Sequence, residues 1–222
     1  MAPNASAFGF FILWKLHPAM NRVKFFIDGF NVYHALHREA RLRRYKWLDY
    51  SKLATLFVRR TDQIVEILYF TALANWDIQK VNRHKILINA LKHKGVKIVF
   101  GQFQKVEKHC QQCHQRYQTF EEKKTDVNIA VEIMKAAVRD EFDTAIIVSG
   151  DSDLAPVVEA VKTLFPAKQV GVIIPINGKA ASLKQTCDFH MKMKEKHLKA
   201  SIFPDEIDLG GGAKLFRPPS WT

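Results

Sequence analysis

Short apolar runs alternate with longer amphipathic ones from Val23 onward. The runs VKFFI (23–27), IVEILYF (64–70), VKIVF (96–100), TAIIV (144–148) and VGVII (170–174) are strand-length and rich in β-branched or aromatic residues. Helical spacing lies between them, predicting helices over 34–46, 51–60, 77–94, 126–139 and 154–164. Apolar strands alternating with helices predict an α/β fold whose largely parallel sheet is covered on both faces. The clearest helix is TDVNIAVEIMKAAV. There Val127, Ala130, Val131, Met134, Ala137 and Val138 recur at the three-and-four spacing of one buried stripe. Thr125 is its expected N-cap, which places Asp126 in the first turn at the favourable end of the helix dipole.

The 222 residues, 47% of them hydrophobic, suit one sizeable folded domain with short appendages and argue against disorder. A formal charge of +12 favours a polyanionic partner such as nucleic acid or a membrane surface. The positive charge is clustered. Residues 78–106 contain no acid but seven lysines and arginines, and Arg38, Arg41, Arg43, Arg44 and Lys46 surround Tyr45 and Trp47. Cations beside aromatics suit phosphates and stacked bases, though a solvated helix face explains either cluster alone equally simply. Three cysteines make no disulfide framework and fit a reducing, cytoplasmic setting. The apolar FGFFILWKL near the N-terminus is far short of the ~20 residues of a membrane span and follows no cationic segment. Residues 1–21 therefore read as a non-native or disordered extension, with Met20 the natural start and no membrane partner.

In an open parallel sheet, function collects at the carboxyl ends of the strands where the strand order reverses. The first predicted strand ends in FFIDGFN, giving Asp28 and Asn31, and the fourth in IIVSGDSD, giving Asp151 and Asp153. Asp126 opens the intervening helix, with Glu121 and Glu122 in the expected loop before it. Taken singly, each acid is a turn or cap residue, as Gly-Asp-Ser-Asp chemistry allows. Brought to one edge they repel, and a hard divalent cation such as Mg²⁺ or Mn²⁺ neutralises such an oxygen-only cluster.

The segments FFIDGFNVYHAL, EEKKTDVNIAVEIM and AIIVSGDSDLAPVVEAV, in this order, resemble the NYN domain, the LabA-like branch of the PIN-like nuclease superfamily. The resemblance covers about residues 22–175. It implies a PIN-like three-layer sandwich with a mainly parallel five- or six-stranded central sheet, and metal-dependent hydrolysis of RNA phosphodiesters. Carried onto this chain, it implies metal ligation by Asp28, Asp126 and Asp151, with Asp153 ligating directly or through water. Asn31, Ser149, Ser152 and Glu122 support the site, although the two serines also serve simply as turn formers. Arg41, Arg43, Arg44, Lys123 and Lys124 are the expected contacts to RNA. In-line attack of water on phosphorus would leave a 5'-phosphate and a 3'-hydroxyl. The implied organisation is an extension (1–21), a nuclease domain (22–200) with a CxxC loop insertion (105–120), and a C-terminal strap or tail (201–222). All four acids are expected to converge within metal-bridging distance.

KHCQQCHQRY offers Cys110 and Cys113 with His109 and His114. A single CxxC pair is half of a structural zinc site, which the histidines or Cys187 would complete, and unliganded surface thiols are the plainer alternative. Two other functions compete with the nuclease. One is a non-catalytic RNA-binding or scaffold protein of the same fold. The other is a haloacid-dehalogenase-type phosphatase, disfavoured because Asp28 is followed by Gly29 and Phe30 rather than by Asp-x-Asp. Oligomeric state, a homodimer included, is open at this level.

Overall fold

The structure, a computed structural model, describes residues 20–221, so the FGFFILWKL segment lies outside the described residues. The chain begins β1 (Asn21–Asp28), α1 (Gly29–His37), α2 (Tyr50–Thr55), β2 (Asp62–Thr71), α3 (Ile78–His93) and β3 (Lys97–Phe100). An antiparallel pair, β4 (Gln102–His109) and β5 (Arg116–Lys123), leads into α4 (Thr125–Val138). Then come β6 (Thr144–Val148), α5 (Ala155–Leu164), β7 (Gln169–Ile174), α6 (Ala181–Thr186), β8 (Phe189–Lys192) and α7 (Glu195–Ala200). A second hairpin, β9 (Glu206–Gly210) with β10 (Ala213–Phe216), follows.

Six strands form one parallel sheet in the order β3-β2-β1-β6-β7-β8. This is the predicted α/β sandwich, and all five predicted strands lie within it. The order reverses between β1 and β6, which opens a crevice at their carboxyl ends. The alternation of β1 divides the core: Phe25 and Ile27 pack with Leu36, Leu53, Leu91 and Leu198, whereas Phe26 packs with Ile129, Ile133, Val158 and Val161. Helices therefore cover both faces. Phe26 is fully buried, and Phe26→Ala would leave a cavity costing about 3–5 kcal/mol.

Several expectations change. The buried ridge of α4 is Ile129, Ile133, Ala136 and Ala137, whereas Val127, Val131 and Val138 of the expected stripe are exposed. Ala130 and Met134 flank the ridge, partly buried. The start of the helix also differs: the Thr125 N–H and hydroxyl both donate to the Glu122 carboxylate. The N-cap is thus Lys124, in the left-handed region at φ 75°, and Thr125 is the first helical residue. Glu121 and Glu122 lie on β5 rather than in a loop. The helix predicted over 34–46 is two pieces, α1 and a 3₁₀ segment at Ala40–Lys46. The C-terminal residues form the β9–β10 hairpin and a last 3₁₀ turn, from which Trp221 packs 6.4 Å from the Trp47 ring.

Candidate active site

Asp28 is the last residue of β1 and only 4% exposed. Its carboxylate caps α1 by accepting the Asn31 N–H at 3.0 Å, and its other oxygen accepts the buried Ser149 hydroxyl at 2.8 Å. The chain then turns onto α1 under Tyr69, where a Cβ on Gly29 would stand 2.5 Å from that ring. Only glycine fits there. Asn31 Oδ1 in turn accepts the Gly150 N–H at 2.9 Å, tying the turn after β1 to the turn after β6 across the switch point. Ser149 Oγ also receives the Asp151 N–H at 3.1 Å, and Asp151 caps the next turn by accepting the Asp153 N–H at 3.0 Å. The turn-forming reading of these residues is therefore realised, and their carboxylates remain available beside it.

Asp28, Asn31, Glu122, Asp126, Asp151 and Ser152 line one cleft of about 650 Å³, together with Arg38 and Lys179. Asp153 is exposed at its margin and is not among the lining residues. Burial pushes the Asp28 carboxyl up, and the neighbouring Asp151 and Glu122 charges add to the rise. Asp126 is raised to about 6, chiefly by burial and then by repulsion from Asp28, Asp151, Glu122 and Asp153. The acids thus share one electrostatic environment. They do not close to the spacing expected, since among the described residues no three His, Cys, Asp or Glu side chains stand close enough to hold a metal ion. Like charges separate unless something neutralises them.

The remaining predicted residues are dispersed. Arg41 is engaged by Glu39 and Glu195, and Lys123 by Glu121. Arg44 lies over the Tyr45 ring, Arg43 donates to the His37 carbonyl, and Lys124 caps α4. Cys110 and Cys113 sit at the tip of the β4–β5 hairpin, with the Cys110 thiol lowered by hydrogen bonds from the Cys113 and Gln112 backbone and the Cys113 side chain. All three cysteines are free, and Cys187 belongs to the core beneath α5 and α6, where burial pushes its thiol up to about 11. It is no partner for the hairpin pair. Lys179 was missed from sequence, although the rule that found Asp151 also points to the loop after β7.

The comparisons agree with this architecture. Among solved structures, a protein of unknown function from Vibrio parahaemolyticus is similar at a TM-score of 0.55 and 18% identity, covering 83% of this chain and 97% of its own. Among curated proteins, 6-hydroxy-3-succinoylpyridine 3-monooxygenase HspA of Pseudomonas putida is 24% identical over 93% of this chain and 77% of its own length. No helix among the described residues is long and apolar enough to cross a membrane. The NYN domain model matches residues 22–194, spanning β1 to the loop before α7, and the chain accordingly belongs to the NYN domain family within the PIN-like nuclease superfamily.

Proposed function

We propose that the protein is a metal-dependent ribonuclease of the LabA-like branch, hydrolysing RNA phosphodiester bonds in the cleft at the β1/β6 switch point. The observation that carries this reading is the gathering of Asp28, Asp126 and Asp151 around one cleft, with Asp28 and Asp126 both raised by burial and further by their acidic neighbours. NYN proteins typically use divalent metals. The donor set fits Mg²⁺ or Mn²⁺: it is all oxygen, and such ions keep several waters and bind through one or two carboxylates plus substrate phosphate. Three preassembled ligands are not required for that mode. Asp28, Asp126 and Asp151 would hold the cation, with Asp153 acting through water. When bound, it would offset phosphate charge and lower the pKa of attacking water.

The protein's own residues do the rest. Ser149 and the Asn31 N–H hold Asp28 in one orientation, and the Asn31 to Gly150 bond fixes it relative to Asp151. Lys179 and Arg38, on the cleft wall, would take non-bridging phosphate oxygens. His34 lines the same cleft, and burial with Arg38 and Lys46 nearby pushes its pKa down, so it is neutral at pH 7 and able to accept a proton. The oxidation named for the Pseudomonas relative is no part of this reading, because at that identity the shared property is the fold. Labelled single-stranded RNA should be cut with Mn²⁺, and not in chelator or by Asp28→Ala or Asp151→Ala. Retained RNA binding without cleavage at any metal would favour the scaffold reading.

A further inference from the structure

Beside the carboxylate cleft lies a second cavity of about 700 Å³, and Phe30, His34 and Glu122 line both. Its walls are aromatic. Trp76 stacks on Phe120 at 3.8 Å with the rings 5° apart, while Phe103 meets Trp76 edge-on at 4.7 Å and Phe30 at 5.4 Å. Trp76 is 42% exposed despite this stack, so part of its ring is available for contact. Behind the rings, Thr71 Oγ1 and His84 Nε2 are 3.0 Å apart.

The charge in this cavity has the opposite sign to that of its neighbour. Lys46, only 9% exposed, places its ammonium 3.0 Å from His37 Nδ1 and 4.4 Å from the centre of the Tyr33 ring. No carboxylate pairs with it among the described residues, and Arg43 and Arg83 add to the positive charge. Burial together with those two arginines pushes Lys46 down to about 8. Glu122, the carboxylate on this wall, is already engaged by Thr125. A sheltered cation without a counter-ion is costly, and an anion entering the cavity relieves the cost.

Rings and unpaired cations together suit one ligand chemistry, a planar ring carrying an anionic group. Phosphate alone would leave the rings uncovered, and a neutral ring would leave the lysine uncompensated. We propose that the cavity seats one unstacked base of the strand whose phosphodiester lies in the carboxylate cleft, with Lys46, Arg43 and Arg83 holding the adjoining phosphate. This rests on the nuclease reading: Phe30, His34 and Glu122 line both cavities and set them side by side, as neighbouring nucleotides of one strand require. Stacking supplies tolerance among bases, and polar edges such as His84 and Thr71 supply preference.

The test is calorimetric titration of the full chain, in chelator, with adenosine 5'-monophosphate, inorganic phosphate and 6-hydroxynicotinate. The monophosphate should bind, and Lys46→Met and Trp76→Ala should each weaken it about ten-fold, whereas Asp151→Asn should not. Trp76 is exposed, so its variant reports even if Lys46→Met fails to fold, and Lys46→Arg should restore binding. No monophosphate binding, equal binding of inorganic phosphate, or binding untouched by both variants would overturn the proposal. Ten-fold tighter binding of 6-hydroxynicotinate would also overturn it, marking the cavity as a seat for a free ring acid. Monophosphate binding that depends on Lys46 in a protein that cuts no RNA would sink the nuclease reading and keep this site. Metal-dependent cleavage without monophosphate binding would do the reverse.

Discussion

The two ends of the central sheet handle charge in opposite ways. At the amino end, Arg22 is fastened to Asp143 and Asp140, and Lys168 reaches Asp140 at 2.5 Å. Lys24, 4% exposed, sits between Glu66 at 2.7 Å and Glu141 at 2.5 Å. There the acids are held low: Asp143 by Arg22, and Asp140 by Lys168 and Arg22. Burial alone would raise Glu66, but Lys24 and Lys97 bring it below its ordinary value. At the carboxyl end Asp28 and Asp126 are raised and Lys46 is depressed, each by burial first and then by like charges beside it. Paired charge serves the fold; charge left unpaired is balanced only by what binds.

The sharpest way to break this contrast is to remove charge at each end and compare the losses. Asp151→Asn should lower cation-dependent RNA cleavage by more than about a hundred-fold, the upper range for a residue that merely supports a metal ligand. Its melting temperature should hardly change. Lys24→Met should do the converse: it takes the buried cation from between Glu66 and Glu141, which keep only Lys97 and Arg139. It costs about 2 kcal/mol, below the full penalty of an uncompensated buried charge because those partners remain, and lowers the melting temperature by about 6 °C. Cleavage per folded molecule should persist. An equal loss of activity from both variants would end the distinction.

Asp126→Asn sharpens it from the other side. The folded carboxyl, at about 6, lies above its unfolded value of 3.8, so the folded chain binds more protons between those limits. Without metal, stability from this group is full below pH 3.8 and declines as pH rises towards and through 6. The neutral amide removes that penalty. In chelator at pH 7 the variant should melt about 3 °C higher, the gain vanishing near pH 4, while cleavage is lost. A lower melting point at pH 7 would contradict the assigned repulsion. The smallest effect belongs to Arg41→Ala, whose exposed pairs with Glu39 and Glu195 should shift melting by no more than about 1 °C. RNA affinity in chelator should stay within about two-fold of the parent, because its charge is already neutralised.

The parallel strands were legible because burial on both faces writes them as unbroken apolar runs. β8 escaped notice for the opposite reason: it is a four-residue edge strand whose FHMK alternates between half-buried and exposed. The β4–β5 pair is mostly solvated, so EKHCQQCHQRYQTFEEKK carries no apolar run to mark it. Asp28 and Asp151 were legible because strand-end acids follow directly from topology. Their spacing was not, since it depends on repulsion among groups from three segments. The aromatic cavity was hidden more thoroughly, because Phe30 and Tyr33 of α1 meet Trp76, Phe103 and Phe120 from distant parts of the chain. The buried face of α4 was equally hidden, because it is set by packing against Phe26 and other residues distant in the chain.

The β4–β5 hairpin reaches further than its place outside the main sheet suggests. Eight residue pairs make it an arm of about 25 Å with Cys110 and Cys113 at the far end. Its near end supplies Phe103 and Phe120 to one cavity and Glu122 to both, and Glu122 also anchors α4 one residue before Asp126. The arm is thus a bracket, whose base braces the aromatic wall and the start of the acid-bearing helix together.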